Sequence, residues 1–231
     1  MATLQVLNSA VQMPCWSCSV SHVESTLFCP HCSRIQPPPG VDFFSALGLT
    51  PHLQLDLAAL EKEFHRLSRQ LHPDRYARAT NNEKEWSLAD TALINDAYRT
   101  LKDPLRRTEY LLKLMGEETS NAERKDKKNL SRVPADLLEE AFDLNMQLEE
   151  MRAARKANAQ DVELQSQLEE AKKKFTTMLS DVDRDLRVEW TRWDEGDELV
   201  RKVAQKAMVA QLDRRRYLSN LVRDVNEVLG A

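Results

Sequence analysis

The sequence has few glycines, no long apolar run and no glycine-rich loop. Only five of its 231 residues are glycine, and none of them belongs to the pattern that cradles nucleotide phosphates. No apolar run approaches the roughly 20 residues that a helix needs to cross a bilayer. We therefore expect no bound nucleotide, no membrane span and no catalytic residues. The rest of the composition, 42% hydrophobic and 30% charged, is typical of a helix-rich globular chain.

The chain also lacks the positive charge that is typical of nucleic-acid-binding proteins and of N-terminal targeting segments. The net charge is −4, so nucleic acid is not expected as a general partner. The basic run Lys125-Asp126-Lys127-Lys128 could form a local patch, but no aromatic residue is interleaved with it. The first 14 residues carry no charged side chain, so neither a secretory signal nor an arginine-rich presequence is visible. Targeting stays open at this point.

Cysteine is absent after residue 32, and all four cysteines lie in two CxxC pairs. A disulfide scaffold would spread its cysteines through the fold, whereas a metal site clusters them. Four thiolates at this spacing predict a closed, structural zinc site that stabilises a small knot within residues 1–40. The predicted metal ligands are Cys15, Cys18, Cys29 and Cys32.

Other interpretations of this region stay open. A CxxC pair can be a redox centre, in which case the protein would be a thiol oxidoreductase without stable zinc. His22 or His31 could also replace one thiolate as a ligand. Trp16 and Phe28 are predicted to pack over the cluster. Residues 36–40 contain three prolines and are predicted to form a linker that ends this domain.

Residues 41–115 are predicted to form a helical domain. A short helix is expected after Asp42, and a further short helix at the end of the domain. Between them, apolar residues recur in steps of three and four over 56–71 and again over 83–101, which predicts two long helices packed antiparallel. The inward positions are expected to be Leu57, Leu60, Phe64, Leu67, Leu71, Trp86, Ala89, Leu93, Ala97, Leu101, Tyr110, Leu111 and Leu114.

The loop between the two long helices contains His72-Pro73-Asp74. Proline lacks an N–H and clashes with the preceding turn, so the first helix must stop there and leave a stiff corner. This corner, the basic helix before it and Ile94-Asn95-Asp96-Ala97-Tyr98-Arg99 after it resemble a J-domain. The resemblance implies that this region binds a DnaK-type ATPase chaperone and stimulates its ATP hydrolysis. The residues implied in chaperone binding are His72, Pro73, Asp74, Lys62, Arg66 and Arg69.

The last part of the chain is predicted to be a three-helix bundle. Residues 116–135 are charged and poor in apolar side chains, which is typical of a polar connector. Three segments within 136–231 then show apolar steps of three and four, which predicts antiparallel helices around one core. The inward positions are expected to be Leu137, Ala141, Leu144, Leu148, Met151, Leu164, Leu168, Ala171, Phe175, Met178, Val182, Leu199, Val203, Ala210, Leu221, Val225 and Val228.

The first bundle helix carries a second apolar row beside its core stripe, formed by Leu138, Phe142 and Met146. Periodicity allows two interpretations of this row, a wider core contact or an exposed surface for a partner protein. A large aromatic residue and a methionine among acidic side chains suit a partner surface. The flanking acidic residues are Glu139, Asp143, Glu149 and Glu150.

A four-cysteine knot, a J-domain and a three-helix bundle, in that order, resemble the HscB-type co-chaperones of iron–sulfur cluster biogenesis. The motifs Cys15-Trp16-Ser17-Cys18 and Phe28-Cys29-Pro30-His31-Cys32 resemble the animal-type members in particular. The resemblance implies that the bundle binds the iron–sulfur scaffold protein, and that the protein works in the mitochondrial matrix, with the cytoplasm as a second location. Glu139 departs from the family, whose members commonly have an apolar residue there. The implied scaffold-binding residues are Leu138, Phe142, Asp143, Met146, Glu150 and Tyr217.

The sequence thus predicts an all-α protein with a zinc knot (1–40), a J-domain (41–115), a polar connector (116–135) and a three-helix bundle (136–231). Its expected function is delivery: the bundle holds a scaffold loaded with a cluster, and the J-domain makes the chaperone hydrolyse ATP and grip that scaffold. Zinc is the expected resident metal, and iron is cargo on the scaffold. The alternatives are a J-domain protein serving a different client and a thiol oxidoreductase.

Overall fold

The computed structural model describes residues 12–23, 26–117, 135–157 and 161–230. They form two compact units, one ending at Leu111 and the other beginning at Leu112. The described residues are mostly helical, which confirms the predicted all-α class. The elements are β1 (Gln12–Pro14), β2 (Ser21–Val23), α1 (Phe43–Ala46), α2 (Leu57–Leu71), α3 (Asn81–Leu101), α4 (Pro104–Leu114), α5 (Leu138–Lys156), α6 (Val162–Glu195) and α7 (Glu198–Leu229).

The four-cysteine knot opens the first unit. Strands β1 and β2 pair antiparallel, and an isolated bridge joins Phe28 to Ile35. Trp16, predicted to pack over the cysteines, leaves 44% of its surface exposed, and its ring meets that of Trp86 in α3. Gln36, expected in the linker, is buried and donates a hydrogen bond to the Cys15 sulfur at 3.5 Å. The knot therefore extends at least to Gln36.

Side-chain caps set where the helices of the J-domain begin. The carboxylate of Asp42 accepts backbone hydrogen bonds at the start of α1, and Asp56 does the same for α2. Thr80 and Glu83 form a reciprocal capping box at the start of α3. This box starts α3 at Asn81, two residues before the predicted boundary.

Helices α2 and α3 form the predicted antiparallel hairpin, with a core of fully buried aliphatic side chains. Phe64 of α2 stacks on Tyr98 of α3 with ring centroids 4.2 Å apart. Three predicted inward positions are wrong: Leu57 is 50% exposed, Leu114 is 47% exposed and Ala89 lies on the solvent face of α3. Ala89 faces outward because the buried row of α3 takes in polar side chains. That row consists of Glu83, Ser87, Asp90, Ile94, Ala97 and Leu101.

Helices α5, α6 and α7 form the second unit and confirm the predicted three-helix bundle. Helices α6 and α7 make a long hairpin that turns at Gly196, where a Cβ atom would collide with the Arg192 carbonyl oxygen. Leu199 and Val203, predicted to face inward, are 73% and 60% exposed, and Ala210 is exposed as well. The buried face of α7 lies one residue further along the chain than predicted, since Ala204 and not Val203 is buried. It consists of Ala204, Gln205, Met208, Leu212, Leu218, Leu221, Val225 and Val228.

Two predicted segments fall largely outside the described residues. These are the uncharged start of the chain, up to residue 11, and residues 118–134 of the connector. Among the helices that are described, none combines the length and the apolar character that crossing a membrane requires.

Candidate functional site

The His72-Pro73-Asp74 corner is a short, fixed turn. His72 ends α2 and caps the 3-10 turn Pro73–Tyr76. Its ring Nδ1 accepts a hydrogen bond from the backbone N–H of Asp74 at 3.3 Å, and its carbonyl accepts one from Arg75 at 2.9 Å. The side chain of His72 is 55% exposed and that of Asp74 is 91% exposed. The backbone is thus fixed while the imidazole and the carboxylate remain available to a partner.

Helix α3 and Tyr76 hold the end of α2 in place. A helix leaves its last four carbonyl groups without partners inside the helix. The carbonyl of Leu71 accepts hydrogen bonds from Ser87 Oγ at 2.6 Å and from Thr91 Oγ1 at 3.2 Å. The Tyr76 hydroxyl donates to the Gln70 carbonyl at 3.3 Å. Side chains from outside α2 therefore fix the position of the corner.

Asp90 lies on the same buried face of α3 and is a candidate pH-sensitive group. Its side chain is fully buried, and neither carboxylate oxygen has a hydrogen-bond partner among the described residues. Burial raises the pKa of Asp90 to about 7, because a charged carboxylate is poorly solvated there. Burial also raises the pKa of the Tyr76 hydroxyl, with Arg75 opposing the shift and the charges of Glu83 and Asp90 adding to it.

The predicted basic face of α2 is exposed. Arg66 donates hydrogen bonds to both carboxylate oxygens of Glu63, at 2.5 and 2.9 Å, and one to Gln70 at 2.8 Å. The hydrogen bond from Arg66 lowers the pKa of Glu63. Within the described part of the chain, Lys62 and Arg69 form no ion pair. One arginine is thus held in a fixed orientation, and two cationic side chains remain available.

The four cysteine sulfur atoms lie within 4.8 Å of one another. Cys15 and Cys32 are separated by 3.6 Å between Sγ atoms, and Cys18 and Cys29 by 3.7 Å. A disulfide would bring two sulfurs to about 2.05 Å. A tetrahedral site with metal–sulfur bonds of about 2.3 Å places its sulfurs roughly 3.8 Å apart. The residues therefore fit a four-coordinate metal ion, and neither His22 nor His31 is needed as a ligand.

Each CxxC pair forms a similar turn around this centre. In both turns the residue after the second cysteine donates its N–H to the carbonyl of the first, Ser19 to Cys15 and Ser33 to Cys29, at 2.9 Å. Both serines have positive φ values, 61° and 58°, which non-glycine residues adopt rarely. Sequence reasoning missed these serines because glycine is the usual signal for such a position. The two turns are thus equivalent in their local conformation.

The thiols of Cys15 and Cys18 differ in pKa. Burial raises the pKa of Cys15, but hydrogen bonds from the backbone of Cys18 and Ser17 and from neighbouring thiols outweigh it and lower that pKa to about 6. A backbone hydrogen bond from Val20 lowers the pKa of Cys18, yet burial and the adjacent thiols raise it to about 12. Adjacent thiolates repel one another, so full ionisation requires a cation at the centre.

The knot is joined to the J-domain by contacts that sequence reasoning missed. Arg34 forms an ion pair with Glu83 of α3 at 3.0 Å, and the Glu83 side chain is only 4% exposed. The rings of Trp16 and Trp86 meet edge-on with centroids 5.8 Å apart. Burial raises the pKa of Glu83, but hydrogen bonds from Thr80 and Arg34 lower it overall. The one available signal was a glutamate on the apolar face of α3, which needs a partner when buried.

The second apolar row of α5 is exposed. Leu138, Phe142 and Met146 leave 51%, 65% and 59% of their surfaces accessible. The neighbouring core stripe is buried, so the bundle does not use this row as a wider core contact. We call these three residues the apolar strip. Asp143 and Glu150, beside the strip, are exposed as well.

The Arg216-Tyr217-Leu218 segment lies within α7. Arg214, one turn earlier on α7, forms an ion pair with Asp136 at 2.7 Å. This hydrogen bond lowers the pKa of Asp136. Tyr217 is half-buried, and burial raises the pKa of its hydroxyl. Tyr217 follows Arg214 by three residues on α7, so this segment continues from the contact that α7 makes with the residue two before α5.

Comparison with known proteins agrees with this geometry. The model of the DnaJ domain family matches residues 42–110, which contain the corner and its two helices. The fold and the corner thus define a J-domain protein. A human relative, the iron–sulfur cluster co-chaperone protein HscB, is 31% identical over 211 residues, which cover 90% of this chain and 78% of the relative. The chain belongs to the HscB co-chaperone family.

Two further matches support this assignment. The mouse iron–sulfur cluster co-chaperone protein HscB is 38% identical over 108 residues, which cover 45% of this chain and 46% of that protein. The alignment therefore spans less than half of the mouse relative. The crystal structure of the human co-chaperone protein HscB superimposes with a TM-score of 0.64 and 26% identity, covering 93% of this chain and 98% of that one.

Proposed function

We propose that this protein is a co-chaperone that stimulates ATP hydrolysis by a DnaK-type heat-shock chaperone and delivers to it a scaffold protein carrying an iron–sulfur cluster. The observation that carries the proposal is the presence of two exposed surfaces in one chain. One is the His72-Pro73-Asp74 corner with its basic helix, and the other is the apolar strip on α5. Membership of the HscB family supports the same pair of partners.

The chaperone surface consists of the corner and the basic face of α2. The corner offers an imidazole and a carboxylate on a fixed backbone, so little ordering entropy is lost when a partner binds. The exposed cations draw an acidic partner toward the corner and set its orientation. The residues assigned to this surface are His72, Pro73, Asp74, Lys62, Arg66 and Arg69.

The scaffold surface consists of the apolar strip and the acidic residues beside it. Exposed large side chains in a row on one helix are typical of partner surfaces, and a single aromatic anchor often dominates the binding energy. Phe142 occupies the middle of the strip and is its most exposed member. Glu139 is exposed and acidic and lies next to Leu138, so it reduces the apolar surface at the Leu138 end of the strip. The residues assigned to this surface are Leu138, Phe142, Asp143, Met146, Glu150 and Tyr217.

Delivery requires no catalytic chemistry in this chain. The bundle binds the loaded scaffold, the J-domain binds the chaperone, and ATP hydrolysis in the chaperone makes it grip the scaffold. The iron–sulfur cluster is cargo held by the scaffold. The test is an ATPase assay of the chaperone with this protein, in the presence and absence of scaffold. No stimulation of any DnaK-type chaperone would overturn the proposal, and stimulation without scaffold binding would indicate a different client.

Phe142→Ala tests the scaffold surface. We expect it to weaken scaffold binding about 30-fold, or roughly 2 kcal/mol, because it removes the central aromatic anchor. Stimulation by the J-domain alone should be unchanged. Leu199→Ala is the matched control, since Leu199 is 73% exposed on another bundle helix, against 65% for Phe142. Titration calorimetry against the scaffold measures both variants, and equal affinity of Phe142→Ala and the wild type would remove the strip from the proposal.

We also propose that the knot binds zinc. Four thiolates close the coordination sphere and leave no position for a substrate, so the metal supplies stability and not catalysis. A closed site of four sulfur ligands argues against the thiol oxidoreductase alternative.

For localisation we propose the mitochondrial matrix, because the chain belongs to the HscB family. Cell fractionation distinguishes this location from the cytoplasm.

Cys29→Ser tests the metal site. The purified wild-type protein should contain about one zinc per chain and Cys29→Ser almost none, because the serine hydroxyl is a poor zinc ligand. Structural zinc sites contribute on the order of 10 kcal/mol to folding, so the knot should become protease-sensitive while the helices remain. Ser17→Ala, in the same region but outside the ligand set, should keep its zinc. Elemental analysis decides, and an iron-loaded, coloured wild-type protein would contradict the assignment.

A further inference from the structure

An open cleft of about 530 Å³ lies between the knot and helix α2. One wall comes from the knot, with Thr26, Phe28 and Ser33. The opposite wall comes from α2 and the turn after the corner, with Arg66, Gln70, Arg75 and Glu63, whose carboxylate is paired with Arg66. The cleft is lined by charged, polar and apolar groups together, which is typical of a surface for a protein segment.

This cleft is continuous with the proposed chaperone surface. Arg66 belongs to that surface, and Arg75 directly follows the His72-Pro73-Asp74 corner. A partner that contacts both Arg66 and the turn after the corner therefore also contacts the lining of the cleft. The knot is the other side of the cleft.

The knot wall is held firmly against the J-domain. The ion pair between Arg34 and the buried Glu83 fixes one point, and the contact between Trp16 and Trp86 fixes another. Breaking the ion pair would leave the buried Glu83 carboxylate without its cationic partner, which is costly. The backbone of Arg34 also accepts a hydrogen bond from Cys29 at 2.9 Å. The wall is therefore tied both to α3 and to a metal ligand.

The charge of the surrounding segment selects the partner. Residues 61–78 contain five basic and three acidic side chains, a net charge of +2, whereas the whole chain carries −4. An acidic segment is attracted to this region, since the remaining residues of the chain together carry a net charge of −6 (−4 minus +2). A partner of this chemistry would be oriented with its acidic part over α2 and the cleft.

We propose that the four-cysteine knot forms the second wall of the chaperone-docking site, and that an acidic segment of the DnaK-type chaperone lies in the cleft between the knot and α2. This inference rests on the proposed function, because it assigns a further contact to the same partner. It gives the knot a role in binding in addition to its stability.

Ser33→Asp tests the inference, with Ser19→Asp as a matched control. The two serines occupy equivalent positions with nearly the same φ, where aspartate is tolerated, but only Ser33 lines the cleft. Ser33→Asp places a negative charge opposite the chaperone's acidic segment. We expect the co-chaperone concentration for half-maximal ATPase stimulation to rise about five- to tenfold, with unchanged maximal stimulation and a difference that shrinks at high salt. Ser19→Asp should stay within twofold of the wild type.

A second measurement does not depend on any variant. In the wild-type protein, adding the chaperone with ATP should slow amide hydrogen exchange at residues 26–34 but leave residues 15–20 unchanged. If Ser33→Asp matches Ser19→Asp, or if residues 26–34 gain no protection, the inference is overturned. His72→Gln separates this failure from failure of the proposed function, because it abolishes stimulation wherever the chaperone contact exists at all.

Discussion

His72→Gln is expected to return the chaperone's ATP hydrolysis to its unstimulated rate, a loss of at least about tenfold in stimulation. The imidazole is one of the two exposed groups that the corner presents, and glutamine cannot reproduce its ring. The substitution should cost little stability, since it removes a single 3.3 Å hydrogen bond at the surface, worth about 1 kcal/mol or less. Loss of function without loss of fold is therefore the expected pattern.

The same helix offers a matched control in His65. This side chain is 60% exposed, and within the described residues its one ion pair is with Glu61, at 3.7 Å. His65→Gln makes the same chemical change away from the corner and should leave the stimulation unchanged. Steady-state ATPase assays and thermal unfolding by circular dichroism measure both variants. If His72→Gln stimulated as well as His65→Gln, the corner would not be the trigger for the chaperone.

The sequence was sufficient to predict the corner because its signals are local. Proline stops α2 for steric reasons that do not depend on the rest of the fold, and the apolar steps of the flanking helices require a hairpin. Asp42 and Asp56 cap their helices through contacts two or three residues away. The expected partner came from the family resemblance, because the spacing of residues does not identify a partner.

The metal site of the knot could be predicted from the sequence, but the contacts of the knot with α3 could not. Two CxxC pairs bring four thiolates together whatever surrounds them, so the ligand set follows from spacing. The contact of Arg34 with Glu83 spans 49 residues, and that of Trp16 with Trp86 spans 70. Such pairs depend on how the knot is placed against α3, and no periodicity encodes that. The cleft was for this reason absent from the sequence-based prediction.

The apolar strip shows the limit of periodicity in another way. Two adjacent rows on α5 were compatible with a wide core contact or with an exposed surface. Only the packing of α6 and α7 decides between them, and it covers the row of Leu144 and Leu148 while leaving Phe142 exposed. The outward turn of Leu199 and Val203 on α7 has the same origin. An apolar residue at a helical spacing indicates a face, but the neighbouring helices decide whether that face is buried.

Asp90 was predicted by no pattern, since the expected row on α3 passed through Ala89 and Leu93. Its buried carboxyl group has no hydrogen-bond partner among the described residues, and its pKa is raised to about 7, from about 3.8 for a solvated aspartate. The folded state therefore keeps a proton that the unfolded state releases. The free energy of unfolding should fall as pH rises from about 4 to 7 and stay low above that range. At about 1.4 kcal/mol per pKa unit, the upper bound on this loss is about 4 kcal/mol.

Asp90→Asn is expected to raise the free energy of unfolding by roughly 2 kcal/mol at pH 8 and to change it little at pH 5. The gain is smaller than the upper bound because the amide must still be buried. The variant should also flatten the pH dependence between pH 5 and 8, as urea titrations at several pH values would measure. Asp96→Asn, an exposed aspartate on the same helix, should leave the profile unchanged. Parallel profiles for Asp90→Asn and the wild type would mean that Asp90 is ionised at neutral pH in a site that solvates its charge.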